Sequence, residues 1–160
     1  MRLDTVKDYI DYNSENNPNL EFVSCPHTNQ KITNKQLKKN LDKIANYLIK
    51  NKNKKKNSVI CTLTENCISS IQLMLGIMYS SMIHAPLNLV AGEDQLSYIV
   101  DHSDTEIIFT TKSNIELAQR ILNKVNKKIE IVEIDKNNFV NELDKKDETS
   151  HIVSLPSDNA

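Results

Sequence analysis

Residues 76–110, GIMYSSMIHAPLNLVAGEDQLSYIVDHSDTEIIFT, contain the pattern that decides the fold of this chain. The apolar residues 68–79 predict a helix that leads into a short strand ending in Ala85-Pro86-Leu87-Asn88. A second helix is predicted from Glu93 to near His102, and a buried strand follows at residues 107–110. Short apolar strands that alternate with helices are typical of a parallel sheet.

The same alternation extends on both sides of this segment. Strands are predicted at residues 59–63, 83–87, 107–110 and 129–134, and helices at 67–79, 95–102 and 114–125. Strands buried on both faces have continuous apolar sequences, so the predicted fold class is α/β. We expect one parallel sheet with helices on both faces and right-handed crossovers. Residues 139–143 are expected to add a last helical turn before the polar residues 144–150.

A helix and a β-hairpin are predicted to precede the sheet. The pattern indicates a short amphipathic helix at residues 5–13 and a hairpin formed by 20–25 and 30–32 around Pro26-His27-Thr28-Asn29. Thr33 is suited to cap the next helix, because its hydroxyl can accept a free N–H of the first turn. That long amphipathic helix has an apolar stripe from Leu37 to Ile49.

The lysine-rich segment 51–57 (NKNKKKN) follows this helix. A run of lysines can bind nucleic acid or lipid, but no aromatic residue is interleaved here and both flanking elements are buried. We therefore interpret the segment as a solvated loop. The chain divides at this loop into residues 1–57, with the helix, hairpin and long helix, and residues 58–160, with the α/β sheet. Both are predicted to be parts of one truncated N-terminal domain.

Composition favours a cytoplasmic protein without nucleic-acid or membrane partners. The chain has 160 residues, about one domain, and a net charge of -1, so its overall charge does not attract nucleic acid or anionic lipid. No signal peptide precedes the first helix, and no apolar run approaches the roughly 20 residues of a membrane span. The odd number of cysteines, with Cys61 inside an apolar strand, argues against a disulfide framework.

A nucleotide site contained in this chain is not expected. Phosphate-binding loops need glycine, because the backbone N–H groups can then close on a phosphate. The chain has two glycines, Gly76 inside a predicted helix and Gly92 before another, and the first strand-to-helix turn, residues 62–66, has none. Neither a dinucleotide-binding motif nor a P-loop is present.

The sequence also predicts no metal site and no catalytic nucleophile. The histidines, His27, His84, His102 and His151, fall on separate elements, and the six-residue spacing of Cys61 and Cys67 suits a metal poorly. Cys61 is interpreted as a core residue; Cys67 lies at a helix N-terminus, where a thiol pKa can drop, but no partner is placed beside it. Adjacent residues cannot converge on one point, so Asp101-His102-Ser103-Asp104 is interpreted as a helix end and turn. We assign no catalytic, cofactor-binding or metal-binding residue.

Several segments together resemble the AMP-forming acyl-CoA synthetases and related adenylate-forming ligases, which include luciferase-type enzymes and nonribosomal-peptide adenylation domains. The resemblance covers residues 32–160, and its specificity comes from the order and spacing of the segments. These are Ile32-Thr33 with the helix after it, the strand and polar turn at 59–66, Ala85-Pro86-Leu87-Asn88, the helix at 95–103, and Ser157-Asp158-Asn159-Ala160. Where the family commonly has Ala-Gly before its V-P-L-N strand, this chain has Ser80-Ser81, which puts the cap of the preceding helix in doubt.

The resemblance implies a parent enzyme that uses ATP, Mg²⁺ and coenzyme A or a carrier-protein thiol to convert a carboxylic acid into an acyl-adenylate and then a thioester. Asn88, where adenylation domains often have Asp, favours an acyl-CoA synthetase. The phosphate loop, acyl pocket, nucleotide motif and catalytic lysine would follow Ala160. This chain alone is therefore predicted to bind none of these cofactors and to be inactive.

The sequence leaves two interpretations of this chain open, and they imply different partners. As a ligase fragment, the chain would pack against the remainder of the ligase downstream of Ala160. Without that remainder we expect self-association through Leu117, Ile121, Ile131 and Ile134. The alternative is a non-catalytic α/β interaction or scaffold module derived from such a ligase. The residues that would select the carboxylic acid are not in the sequence.

Overall fold

The computed structural model describes residues 3–143. The elements in chain order are α1 (Val6–Asn16), β1 (Glu21–Cys25), β2 (Gln30–Thr33), α2 (Asn34–Asn46), a π-helical turn (Tyr47–Asn51), β3 (Val59–Leu63), α3 (Ile68–Tyr79), β4 (Ile83–Pro86), α4 (Glu93–His102), β5 (Thr105–Thr111), a 3₁₀ turn (Lys112–Asn114), α5 (Ile115–Leu122), β6 (Glu130–Ile134) and α6 (Phe139–Leu143). The predictions for residues 144–150, His151 and 157–160 lie outside the described residues.

The four strands β3 to β6 form one parallel sheet in the order β4-β3-β5-β6. This confirms the predicted α/β fold class, and the antiparallel β1-β2 hairpin before it is confirmed as well. Strand β5 begins two residues earlier than predicted. The reason is the hydroxyl of Thr105, which donates to the carbonyl of Val59 and so ties the start of β5 to β3.

Helices cover both faces of the sheet and divide the core in two. On one face, α1, α2, α3 and α6 pack against β3, β5 and β6, so residues from both predicted parts of the chain share one core. Its largest side chains include Tyr47, Phe109 and Phe139, whose ring centroids lie 6.0 to 6.3 Å apart in edge-to-face contacts. On the other face, α4 and α5 cover an aliphatic core built around Leu63, Leu96 and Ile121.

Helix α2 begins at the predicted cap and is packed unusually close to α3. Thr33 and Gln36 form a capping box, in which the Thr33 hydroxyl accepts from the Gln36 N–H and the Gln36 side chain accepts from the Thr33 N–H. Farther along, a Cβ added to Gly76 would lie 2.5 Å from Cγ2 of Ile44. Gly76 therefore permits the contact between the two helices that hold the first core together.

The serine pair at the end of α3 forms a regular helix end. Ser81 itself adopts the left-handed conformation, with a φ of 58°, in which glycine is common. The N–H groups of Ser81 and Met82 donate to the carbonyls of Met78 and Ile77 at 3.0 and 3.1 Å. The turn into β4 thus forms with serine at this position.

Two predictions about exposure to solvent are wrong, whereas the expected self-association stays a prediction. The residues expected to expose an apolar face are mostly covered within the chain, because Ile121, Ile131 and Ile134 are buried and only Leu117 is partly exposed. The lysine-rich segment is a loop, but two of its lysines are not solvated. The side chains of Lys52 and Lys54 are 8% and 11% exposed, because each reaches a glutamate at the start of a neighbouring strand.

Candidate functional site at the carboxyl end of the sheet

The topology of the sheet puts a switch point at the carboxyl ends of β3 and β5. After β3 the chain crosses through α3 on one face, and after β4 and β5 it crosses through α4 and α5 on the other. The connections from the adjacent strands β3 and β5 thus diverge to opposite faces. Open α/β sheets bind ligands at such a switch point, so this edge is the candidate site.

Glu65 lies at this switch point and is surrounded by hydrogen-bond donors. It follows β3, and its carboxylate accepts bonds from three residues that follow or end β5. Thr111 Oγ1 and Asn114 Nδ2 donate to Oε2 at 2.6 and 2.9 Å, and Ser113 Oγ lies 3.3 Å from Oε1. The cluster joins the two strand ends at which the chain turns in opposite directions.

These contacts determine the protonation state of Glu65. Partial burial by itself raises the pKa of the carboxyl, but the hydrogen bonds from Thr111 and Ser113 and the positive charge of Lys136 outweigh it. The pKa of Glu65 is consequently lower than its ordinary value, and the group is an anion at neutral pH. It can orient neighbouring donors or accept from a ligand, but it is poorly suited to act as a general acid at neutral pH.

A second polar pair lies between β3 and β4. Thr62 Oγ1 and His84 Nε2 are 2.8 Å apart, and Thr62 is buried. Burial lowers the pKa of His84, which favours the neutral imidazole at neutral pH. Beyond the end of β4, the side chain of Asn88 accepts from the N–H of Val90 at 3.1 Å. In this structure Asn88 is a turn-forming residue.

The cysteines considered in the sequence have structural roles. Cys61 is buried in β3, as predicted, and burial raises the pKa of its thiol, although hydrogen bonds from Ser103 and Thr105 oppose this. Cys67 is the N-cap of α3, and its N–H donates to the hydroxyl of Ser70 at 3.0 Å. Neither arrangement supplies the basic, accessible surroundings of a catalytic thiolate.

The other candidate groups are also accounted for. Helix α4 ends at His102 and β5 begins at Thr105, so the sequence Asp101-His102-Ser103-Asp104 is a helix end and turn, as predicted. His102 is stacked on Tyr98 with 3.9 Å between ring centroids, and its Nδ1 lies 2.9 Å from the Tyr98 carbonyl oxygen. Within residues 3–143, no three His, Cys, Asp or Glu side chains are grouped so that they could hold a metal ion.

The groups at the switch point do not fit the phosphates of ATP. The turn that carries Glu65 has no glycine, and its carboxylate would repel a phosphate placed beside it. No residue at this edge was predicted from the sequence to belong to a site, and the Glu65 cluster is an addition from the structure. The available signal was its place in the chain, because polar residues follow both β3 and β5 and parallel strands bring such residues together.

A model of the AMP-binding enzyme family matches residues 10–159, and the chain therefore belongs to that family. A search of curated proteins finds no match. None of the helices in the described part of the chain combines the length and apolar character that a membrane crossing requires.

Several solved structures that share this fold are CoA ligases. The fatty acyl CoA synthetase of Mycobacterium tuberculosis is 15% identical, with a TM-score of 0.74 over 98% of this chain and 30% of its own. The anthranilate CoA ligase AuaEII, solved with anthranoyl-AMP, is 16% identical, with a TM-score of 0.77 over 91% of this chain and 28% of its own. ATP-bound MatB of Rhodopseudomonas palustris is 16% identical, with a TM-score of 0.72 over 96% and 30%. The chain thus spans less than a third of each of these proteins.

Proposed function

We propose that this chain is the N-terminal part of an ATP-dependent acyl-adenylate-forming ligase, and more narrowly of an acyl-CoA synthetase. The observation that carries the proposal is the family match over residues 10–159. The likeness in fold to CoA ligases supports it, as does the small share of those enzymes that the chain spans. Asn88 in the Ala85-Pro86-Leu87-Asn88 segment supports the narrower assignment to acyl-CoA synthetases.

The complete ligase would use ATP with Mg²⁺ to convert a carboxylic acid into an acyl-adenylate, with release of pyrophosphate. It would then transfer the acyl group to coenzyme A or a carrier-protein thiol. The phosphate-binding, acyl-binding and thiol-binding groups would come from the remainder of the ligase, which is this chain's proposed partner. In this arrangement the chain supplies the sheet edge around Glu65 as a rigid support and performs no chemical step itself.

Hydroxylamine trapping of acyl-adenylates tests the proposal. The chain alone, with ATP, Mg²⁺ and a panel of carboxylic acids, should give no hydroxamate, and calorimetry should detect no ATP binding tighter than about 100 µM, roughly -5.5 kcal/mol. The gene product that continues past Ala160 should form hydroxamate with at least one acid. Hydroxamate formation by the chain alone would contradict the proposal. A gene that ends at Ala160 would favour the non-catalytic module instead.

A further inference from the structure

A polar cleft of about 330 Å³ lies between the hairpin, α2, α3 and the segment from β6 to α6. No residue of the Glu65 cluster lines this cleft. Its lining contains seven carboxamide side chains and the three lysines Lys31, Lys39 and Lys43, and no carboxylate. A cavity of this size is at the lower end of the range for small-molecule sites.

Several groups of the lining are held in place by the fold. Gln30 Nε2 donates to the carbonyl of Asn137 at 3.1 Å, which ties the hairpin to the segment after β6. Asn141 Nδ2 donates to Oδ1 of Asn138 at 2.7 Å, and the N–H of Ser69 donates to the carbonyl of Lys136 at 3.1 Å. The bonds of Gln30 and Ser69 therefore join walls of the cleft that are distant in the chain.

Gln72 is the most informative residue of the lining. It lies on α3, is 5% exposed, and its carboxamide makes no hydrogen bond to any of residues 3–143. Its amide atoms still reach the open space of the cleft, so their hydrogen-bond partners come from whatever occupies the cleft, water or a ligand. Because Gln72 lines the cleft, a ligand in the cleft can supply such a partner.

The charges of the lining indicate which ligand fits. Lys39 makes no ion pair with the described residues, whereas Lys31 is 2.7 Å from Glu21 Oε2. Positive charges and amide donors without a carboxylate favour an anion. A phosphate monoester carries about -1.5 to -2 charges at neutral pH and several acceptor oxygens, which suits this lining better than one carboxylate does.

We propose that this cleft is a binding site for a small molecule that carries a phosphate group. Amide donors, including Gln72, would bond to the phosphate oxygens, and Lys39 would balance part of their charge. The site is independent of the proposed ligase function, because it uses none of the groups that adenylate formation requires.

The test is a titration of the ¹⁵N-labelled full chain with inorganic phosphate at fixed pH and ionic strength, followed through the side-chain amide of Gln72. We expect a saturable shift of that resonance and of the Asn137 and Asn138 amides. Lys39→Gln should weaken binding about tenfold, the effect of losing one charge-assisted hydrogen bond. Lys35→Gln makes the same charge change on the same helix outside the cleft, and it should change the affinity less than about twofold.

Two further measurements test whether the Gln72 amide and the charge of the phosphate contribute to binding. Gln72→Met, with folding checked by its thermal midpoint, should weaken phosphate binding several-fold if the amide contacts the ligand. Acetate at equal concentration should bind more weakly than phosphate. The proposal is overturned if phosphate up to about 10 mM gives no saturable shift, if Lys35→Gln weakens binding as much as Lys39→Gln, or if acetate binds as well as phosphate.

Discussion

At the carboxyl end of the sheet Glu65 accepts hydrogen bonds from uncharged groups, whereas at the amino end Glu130 and Glu106 pair with the lysines of one loop. The amino end is thus closed by ion pairs between the segment before β3 and the starts of β6 and β5. The carboxyl end keeps a carboxylate whose hydrogen-bond partners are neutral and on which Lys136 acts only through its charge. Ligands of parallel sheets bind at carboxyl ends, so the contrast separates an edge that is built for stability from one that remains available for function.

The largest expected effect is at the amino end, for Lys52→Met. Lys52 Nζ lies 2.5 Å from Glu130 Oε1, and their side chains are 8% and 26% exposed. Methionine keeps the apolar stem beside Tyr47 but leaves Glu130 without its partner, so the free energy of unfolding should fall by about 2 kcal/mol. Urea unfolding at pH 7 measures the change.

Lys50→Met is the matched control, because Lys50 is exposed in the same turn and forms no ion pair with the described residues. It should change stability by less than about 0.5 kcal/mol. If the two variants lose the same amount, the Lys52–Glu130 pair does not close this end of the sheet.

A smaller effect is expected at the carboxyl end, for Glu65→Gln. The substitution keeps the shape of the side chain but removes its charge and turns an amide toward the amide of Asn114. Hydrogen bonds to a charged group are stronger than neutral ones, so we expect a loss of about 1 kcal/mol in the free energy of unfolding. Urea unfolding again measures it, with the exposed Glu15→Gln as a control that should be nearly neutral.

How far these two ends could be predicted depends on the sequence separation of the contacts. Helix and strand positions follow from local periodicity, and the Thr33 cap needs a partner three residues away, so both were predicted correctly. The partners of Glu65 are 46 to 49 residues distant, and they meet it only because β3 and β5 are adjacent. Periodicity predicts the strands but does not determine their order in the sheet.

The lysine-rich segment shows the same limit of prediction at the amino end of the sheet. A short run of like charges is usually solvated, and that general rule was applied to residues 51–57. Lys52 and Lys54 depart from it because Glu130 and Glu106, 78 and 52 residues away, stand at the starts of neighbouring strands. The partly buried amides of the polar cleft were missed for the same reason, since its walls come from four separate segments.

The acid sensitivity of the carboxyl end gives a third, smaller effect. Glu65 has a pKa in the native state below its ordinary value of 4.5, so its stabilising contribution is present above 4.5 and is lost as pH falls through the native pKa. The difference in stability between the wild type and Glu65→Gln should therefore shrink as pH falls below 4.5. Urea unfolding at a series of pH values tests this. A difference that stays constant would show that shape, and not charge, explains the loss.

The smallest effect is expected for Lys54→Met. This substitution removes the second ion pair at the amino end, whose glutamate is more exposed than Glu130. Lys54 Nζ lies 2.6 Å from Glu106 Oε2, and the hydrogen bond from Lys54 holds the pKa of Glu106 below its ordinary value. The Glu106 side chain is nevertheless 73% exposed, so water can replace the lost ammonium. We expect a loss of about 0.5 kcal/mol or less, reduced further by added salt.

A double-mutant cycle tests whether burial of the carboxylate determines the strength of each ion pair. The coupling between Lys54→Met and Glu106→Gln should be a few tenths of a kcal/mol, clearly below that between Lys52→Met and Glu130→Gln. Because both pairs join the same loop to the same end of the sheet, they differ mainly in how far the carboxylate is shielded from water. Equal couplings would mean that shielding of the carboxylate from water does not determine the strength of these ion pairs.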